Sequence, residues 1–357
     1  MFINSLNRFW FQRITQLLPA ERVTRQRNLA ALISGIAESR SVWISEIAAT
    51  LPGKALALSL TRRLDRFLEN PAFTVRAWYE PLARQVLCGP QGHPLRLLID
   101  ASKVGFHKQL LLVALAYRHR TIPLAWDWVP HGKGHSPAAQ QLALLAYVRT
   151  LLPPDAKVIL VGDAEFGAQN VLAQLEAWGW QYVLRQRGQI LVRPEVYGAW
   201  QPLHTLVQQP GESRWLHHWQ ITKQHAHLTN VVAHWALGEA NPWLLVTNLP
   251  SLRPALYSYG RRMWIEETFG DLKRHGFDLE STHLQDAEKL SRLTFAVVLL
   301  YLSLLTLGTQ MLKPHLRRLV DRAERRDLSV FRLGWRMLRR RLANGLPFPL
   351  EFNPFLT

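Results

Sequence analysis

The sequence predicts an α/β protein: a mixed sheet core interrupted by a β-rich insertion, with a helical N-terminal domain and a helical, basic C-terminal tail. Three observations predict it. Between residues 93 and 187, apolar strand-like runs alternate with helical stretches in the order three strands, helix, strand, helix, strand. Residues 188–250 turn to Thr, Val, Trp, His and Gln, with turn signals such as QPGES and GEANP. Residues 1–92 carry apolar residues at helical spacing, as do residues 251–312, and residues 313–357 form the basic tail.

In the first segment, RQRNLAALISGIAE has helical periodicity. SVWISEIAATL, the turn PGK and ALALSLTRRLDRFLEN then resemble two helices around a glycine-containing turn, the helix-turn-helix arrangement that places a second helix on DNA. That second helix carries Arg62, Arg63 and Arg66, expected at phosphates or base edges; a plain helical bundle with solvated arginines is the alternative. PLRLLIDASKVG reads as a buried strand with Asp100 at its end, and LLLVALAYRHR and TIPLAWDWV as the next two strands. SPAAQQLALLAYVRTLL begins on a serine N-cap and reads as a helix. AKVILVGDAEFG is a fourth strand leading into Asp163 and Glu165. AQNVLAQLEAWGW is a helix, and QYVLRQR a fifth strand whose Arg185 and Arg187 either line a DNA groove or are solvated edge charges. In the insertion, LHHWQITKQ, LTNVVAHWAL and PWLLVTNLP read as strands.

Composition narrows the function. The 357 residues carry a formal net charge of +17 and a pI near 10.6, which points to a polyanionic partner, nucleic acid or an acidic membrane surface. The one cysteine, Cys88, excludes a disulfide framework and a cysteine-based zinc site, and it fits a reducing compartment. Fourteen tryptophans serve a core and can also stack on bases. Residues 1–20 are amphipathic and lack the apolar run of a secretory signal. LTFAVVLLYLSLLTLGTQML, residues 293–312, is long enough to span a bilayer, but a helix buried on all sides in a core satisfies the same pattern and suits the polar, arginine-rich remainder. The expectation is a cytoplasmic protein without a membrane partner.

The stretch YGRRMWIEETFGDLK, residues 259–273, carries the chemistry. On one continuous helix Tyr259, Arg262, Glu266 and Lys273 fall within roughly 60° of each other. An exposed helix with ordinary ion pairs is the plain reading. Asp100 and Asp163 follow apolar strands, and Glu266 lies beyond the insertion. Together they form a set of hard oxygen donors suited to Mg²⁺ or Mn²⁺. Glu165 is a further acid near them, at a helix N-terminus. Glu267 lies about 100° around the helix from Glu266 and should not share the site. His131 and His135 in HGKGH have no third ligand at matching spacing and read as a DNA-proximal loop.

Tyr259-x2-Arg262-x3-Glu266-x6-Lys273 resembles the YREK signature of bacterial insertion-sequence transposases with a DDE active site. ILVGDAEFG is similar to that family's second-aspartate motif and LLIDASKV to its first-aspartate strand; the likeness covers about residues 95–312. Ala164 stands where the second motif has arginine. The resemblance implies a bacterial, nucleoid-associated protein with a ribonuclease-H-like core in which Asp100, Asp163 and Glu266 hold two metal ions, while Tyr259, Arg262 and Lys273 grip a terminal phosphate. It further implies that Trp243, opening WLLVTNLP, stabilises a flipped base, a structural tryptophan at a strand start being the alternative. Cut-and-paste transposition then follows: nicking, hairpin formation and opening, and strand transfer. The implied partners are double-stranded DNA with terminal inverted repeats, target DNA and a second copy of the chain on paired ends. A ribonuclease-H-like nuclease without strand transfer and an inactive DNA-binding regulator remain as alternatives. Removal of residues 313–357 is expected to abolish end pairing while sparing some DNA binding.

Overall fold

The structure is a computed structural model describing residues 2–89, 92–104, 108–130, 136–224, 226–322, 326–348 and 351–356. His131 and His135 lie outside the described residues.

Five helices open the chain: α1 (Phe2–Leu17), α2 (Val23–Ser39), α3 (Ile44–Thr50), α4 (Ala57–Glu69) and α5 (Val75–Leu87). α4 shows why this segment folds as it does. Leu60, Leu64, Phe67 and Leu68 recur at helical spacing and are buried, while Arg62, Arg63 and Arg66 fall on the opposite, exposed face. The connection from α3 to α4 runs through residues 51–56, longer than the PGK turn expected from sequence.

The sheet then begins with β1 (Leu95–Val104), β2 (Lys108–Tyr117) and β3 (Arg120–Pro130), followed by α6 (Ala138–Leu151), β4 (Val158–Gly162), α7 (Gln169–Ala177) and β5 (Gln181–Arg185). β1, β2 and β3 form an antiparallel meander, while β4 lies parallel to β1 and to β5. A parallel neighbour requires a crossover, and α6 and α7 supply the helices of the two crossovers. Five strands follow: β6 (Leu191–Pro194), β7 (Gln201–Pro202), β8 (Ser213–Ile221), β9 (His227–His234) and β10 (Trp243–Thr247). They do not form a separate sheet. β10 pairs antiparallel with β5, Leu245 opposite Arg185, so all ten strands form one sheet in the order β3-β2-β1-β4-β5-β10-β9-β8-β6-β7.

The chain returns to helix in α8 (Leu252–Tyr259), α9 (Met263–Leu272), α10 (Ala287–Gln310), α11 (Pro314–Arg317) and α12 (Val330–Ala343). α10 contains the long apolar run and is long and apolar enough to cross a membrane, yet almost all of that run is buried inside the protein. It packs on β3, α2, α4, α5 and α12. Its buried Arg292 donates Nη1 to Leu68 O at 2.7 Å, a carbonyl left over where α4 ends, and Nε to Phe73 O at 3.0 Å in the connection to α5.

α12 crosses α10 at bare backbone. A Cβ on Gly308 would overlap Val330 O, and a Cβ on Gly334 would overlap Leu304 O, so both positions require glycine. The C-terminal segment therefore is not a detachable arm. Phe331, Leu333 and Leu338 are buried in the core, Phe352 packs on Trp10 at 5.9 Å between ring centroids, and Arg13 pairs with Glu351 at 3.0 Å. Deleting residues 313–357 would uncover α10, so the deletion expected from sequence to act on pairing alone would act on the fold.

Candidate active site

Parallel pairing of β1 with β4 ends at Ile99 opposite Gly162. The next residue on each chain is an aspartate, so Asp100 and Asp163 sit side by side just past the last parallel pair. Contrary to the sequence reading, Asp100 does not end its strand: β1 runs on to Val104 against β2. Each aspartate is pinned in the same way. Asp100 Oδ1 accepts from the Ala101 amide at 2.8 Å, and Asp163 Oδ1 accepts from the Ala164 amide at 2.7 Å. The second oxygen of Asp100 faces Arg262.

Glu266 arrives on the first turn of α9, and Arg262 lies between the acids. Arg262 Nη2 is 2.6 Å from Glu266 Oε1, and Nη1 is 3.6 Å from Asp100 Oδ2. Burial pushes the Asp100 carboxyl up to about 7; its own amide bond and Arg262 pull against that, and the neighbouring Asp163 and Glu266 add to it. Burial works against the Arg262 charge, but Tyr259, Glu266, Asp100 and Asp163 together hold its pKa above the usual arginine value. The three acids expected from sequence thus share one electrostatic site, with a guanidinium at its centre.

The donor chemistry fits a divalent cation: three hard carboxylates, two of them on adjacent strands, with like-charge crowding that a cation relieves. As placed, no group of three His, Cys, Asp or Glu side chains among the described residues is gathered closely enough to hold a metal, and Arg262 bridges Asp100 and Glu266.

The single helix expected over residues 259–273 is two helices. α8 ends at Tyr259, and the Arg262 amide bonds back to Tyr259 O and the Ile265 amide to Arg262 O, three residues apart instead of four. Such a tight turn advances the chain faster than an α-helix and shifts the faces of α8 and α9 against each other. Tyr259 consequently turns inward and is buried. Its ring meets the half-buried Trp243 edge-on at 5.0 Å, and Trp243 in turn meets His234 at 5.9 Å. Burial raises the Tyr259 phenol, Arg262 and Arg185 oppose the shift, and Asp163 adds to it. Arg185 also donates to Pro242 O at 3.3 Å. Trp243, Tyr259, Arg185 and Arg262 therefore form one wall beside the acids.

The remaining expected residues lie elsewhere. Lys273 follows the last turn of α9, where Nζ donates to Lys103 O at 2.5 Å and pairs with Glu280 at 2.9 Å. Arg187 is exposed two residues beyond β5, and Arg62, Arg63 and Arg66 are on α4. The Glu165 carboxylate accepts from the Ser136 amide at 2.6 Å and from the Ser136 hydroxyl. Glu267 points away from Glu266, as expected, and pairs with Arg120 at 3.0 Å.

Sequence reasoning missed the residues that seat α9. Asp271 pairs with Arg120 of β3 at 2.5 Å, and burial holds the Asp271 carboxyl up near 6 against the pull of Arg120. Thr268 Oγ1 accepts from the Thr121 amide at 2.8 Å and lies 3.2 Å from Tyr301 Oη. These contacts fix the helix that carries Glu266. Their partners lie far apart in sequence, and no local pattern marks them.

Residues 91–303 match the family model described as the transposase DDE domain. The chain belongs to the transposase DDE domain family. The matched span of this DDE-family chain includes both aspartate strands, the β-rich segment, α9 and most of α10. No curated protein matches it. Among solved structures, the piggyBac transposase synaptic complex with hairpin DNA, determined by cryo-EM, is similar over 97% of this chain and 83% of that one, with 11% identity and a TM-score of 0.42. A likeness of that size says nothing of the chemistry here.

Proposed function

We propose that this chain is a metal-dependent transposase whose three acids are Asp100, Asp163 and Glu266. The observation that carries this reading is the convergence of those three carboxylates on Arg262, inside the span that matches the family. The order β3-β2-β1-β4-β5, an antiparallel meander continued by parallel crossovers with Asp100 on β1 and Asp163 just after the adjacent β4, supports a ribonuclease-H-like core.

Asp100, Asp163 and Glu266 would hold Mg²⁺ or Mn²⁺. Bound there, such ions supply activation of a water or 3′-hydroxyl and stabilisation of the leaving oxygen in an in-line displacement. The chain's own residues do the rest. Arg262 presents a planar fork suited to a phosphate, and in the absence of DNA it neutralises the carboxylates. Arg185 adds a second cation on the same wall. Trp243, half-buried and braced by Tyr259, offers an aromatic surface to an unstacked base at about 1–3 kcal/mol per base, which suits a hairpin intermediate. Lys273 reaches a phosphate by exchanging Glu280 for it. Arg62, Arg63 and Arg66 contact flanking duplex from α4, with Arg187 as a further basic contact. Two copies of the chain on paired inverted repeats, followed by strand transfer into target DNA, complete the proposed reaction.

The test is cleavage of DNA containing the element's own ends in Mg²⁺ or Mn²⁺, wild type against Glu266→Gln, resolved on a denaturing gel. Nicks and hairpins from the wild type alone are expected. DNA binding without cleavage by either protein would replace this reading with that of a DNA-binding regulator.

A further inference from the structure

The arginine-rich C-terminal segment acquires a face once α12 is packed. Its apolar side lies on α10, and Arg332, Arg336 and Arg339 emerge along one exposed edge at helical spacing. That edge borders a groove of about 250 Å³. The other side of the groove is Arg40, at the end of α2, and His275, which follows α9. The floor is the buried rings of Phe331 and Trp335.

We propose that this groove binds the phosphate backbone of duplex DNA at a place separate from the carboxylate site. The proposal rests on the transposase reading for the identity of the polyanion. Among the described residues, those lining the groove include four arginines and a histidine and no carboxylate. Arg40 and Arg339 lie close enough to act on each other: burial first, then Arg339, lowers the Arg40 pKa. Arg40 also stands at a left-handed backbone position, φ 55°, where helix ends favour glycine or asparagine, and its guanidinium stacks 5.1 Å from the Trp335 ring. A cation held over an aromatic floor and facing another cation is an anion-binding arrangement.

Its dimensions suit a DNA strand. From Arg332 to Arg339 the helix rises roughly 10 Å, enough to meet more than one phosphate of a strand that advances about 3.4 Å along the duplex axis per nucleotide. Its location suits the reaction. α9 carries Glu266 in its first turn and leads directly through Lys273 and Arg274 to His275 in the groove, so a duplex engaged at the acids continues onto α12.

The experiment uses the full chain and a 40-base-pair duplex of arbitrary sequence. Affinity is measured across salt concentrations for wild type and for Arg332→Ala/Arg339→Ala. Arg336 is left alone because it also donates to Val320 O. Losing two phosphate contacts should weaken binding about tenfold or more at 0.1 M salt and reduce the salt slope by about 2. Arg332→Lys/Arg339→Lys should restore most of the slope, and melting temperatures confirm that all three proteins are folded. Wild-type binding and end cleavage with an unaltered slope in the alanine variant would overturn this site and leave the transposase reading intact. Failure of the wild type to bind any duplex would overturn both. Loss of binding to anionic phospholipid vesicles, with duplex binding unchanged, would reassign the groove to a membrane surface.

Discussion

Asp100 is stabilised as the acid and strained as the anion. Its carboxyl ordinarily titrates near 3.9, and in the fold it is pushed to about 7. A folded-state pKa raised in this way contributes stability that is complete below the unfolded value and is lost as pH climbs through the folded one. Metal-free wild type should therefore lose up to about 4 kcal/mol between pH 4 and pH 8 from this one group. Asp100→Asn removes the titration. It should melt higher than wild type at pH 8, match it more closely at pH 4, and cleave no DNA. Melting curves in chelator that run parallel for the two proteins across this window would refute the assignment. On the proposed function, the residue keeps a carboxylate for chemistry at the expense of stability.

At the scale of elements, the crossing of α10 and α12 is the most sensitive contact. Gly334→Ala places a methyl group against Leu304 O, and the helices must separate to admit it. The expected loss is about 3 kcal/mol, larger than ordinary overpacking because the obstacle is backbone. Ser329→Ala, which removes only the cap bond to the Arg332 amide, should cost about 1 kcal/mol and serves as the control. Equal melting temperatures for the two variants would contradict the close crossing. The elements themselves were largely legible in the sequence. Strands over residues 95–130 and the two crossover helices follow from local periodicity; Asp100 and Asp163 were singled out by their place beside apolar strands, and Glu266 by the spacing of Tyr259, Arg262 and Lys273 around it. The break between α8 and α9 was not legible, since Gly260 and Arg262 keep helical backbone angles and only the hydrogen-bond register changes. β6 and β7 are too short to leave a periodic signal. That the insertion joins the core sheet depends on Leu245 meeting Arg185, and the seat of α9 depends on Arg120 meeting Asp271; both are long-range pairings that no window of sequence contains.

Across the whole molecule, the C-terminal segment and the N-terminal helices close over the same core. α12 packs on α10, α10 on α2 and α4, and Phe352 on Trp10. A chain ending at Leu312 should lose its cooperative melting transition, not merely its pairing of DNA ends. A truncated protein with an unchanged transition would show that the tail is dispensable to the fold. The positive charge is distributed to match: Arg62, Arg63 and Arg66 on α4, Arg185 and Arg262 at the acids, and the α12 edge at the opposite end of α9.

The hydrogen bonds between β10 and β5 have a mechanical consequence. Trp243 opens β10, Arg185 ends β5, and Asp163 follows β4, and these three strands are neighbours in one ladder. The aromatic surface and the acid are therefore mounted on a single stiff plate, with no hinge between them in the sheet. On the proposed function, a change in the distance from scissile phosphate to stacked base between one step and the next would have to be met by the nucleic acid flexing while the protein keeps its shape. DNA ends that are easily unstacked should then react faster than rigid ones, with selectivity arising from deformability and not from base-edge contacts.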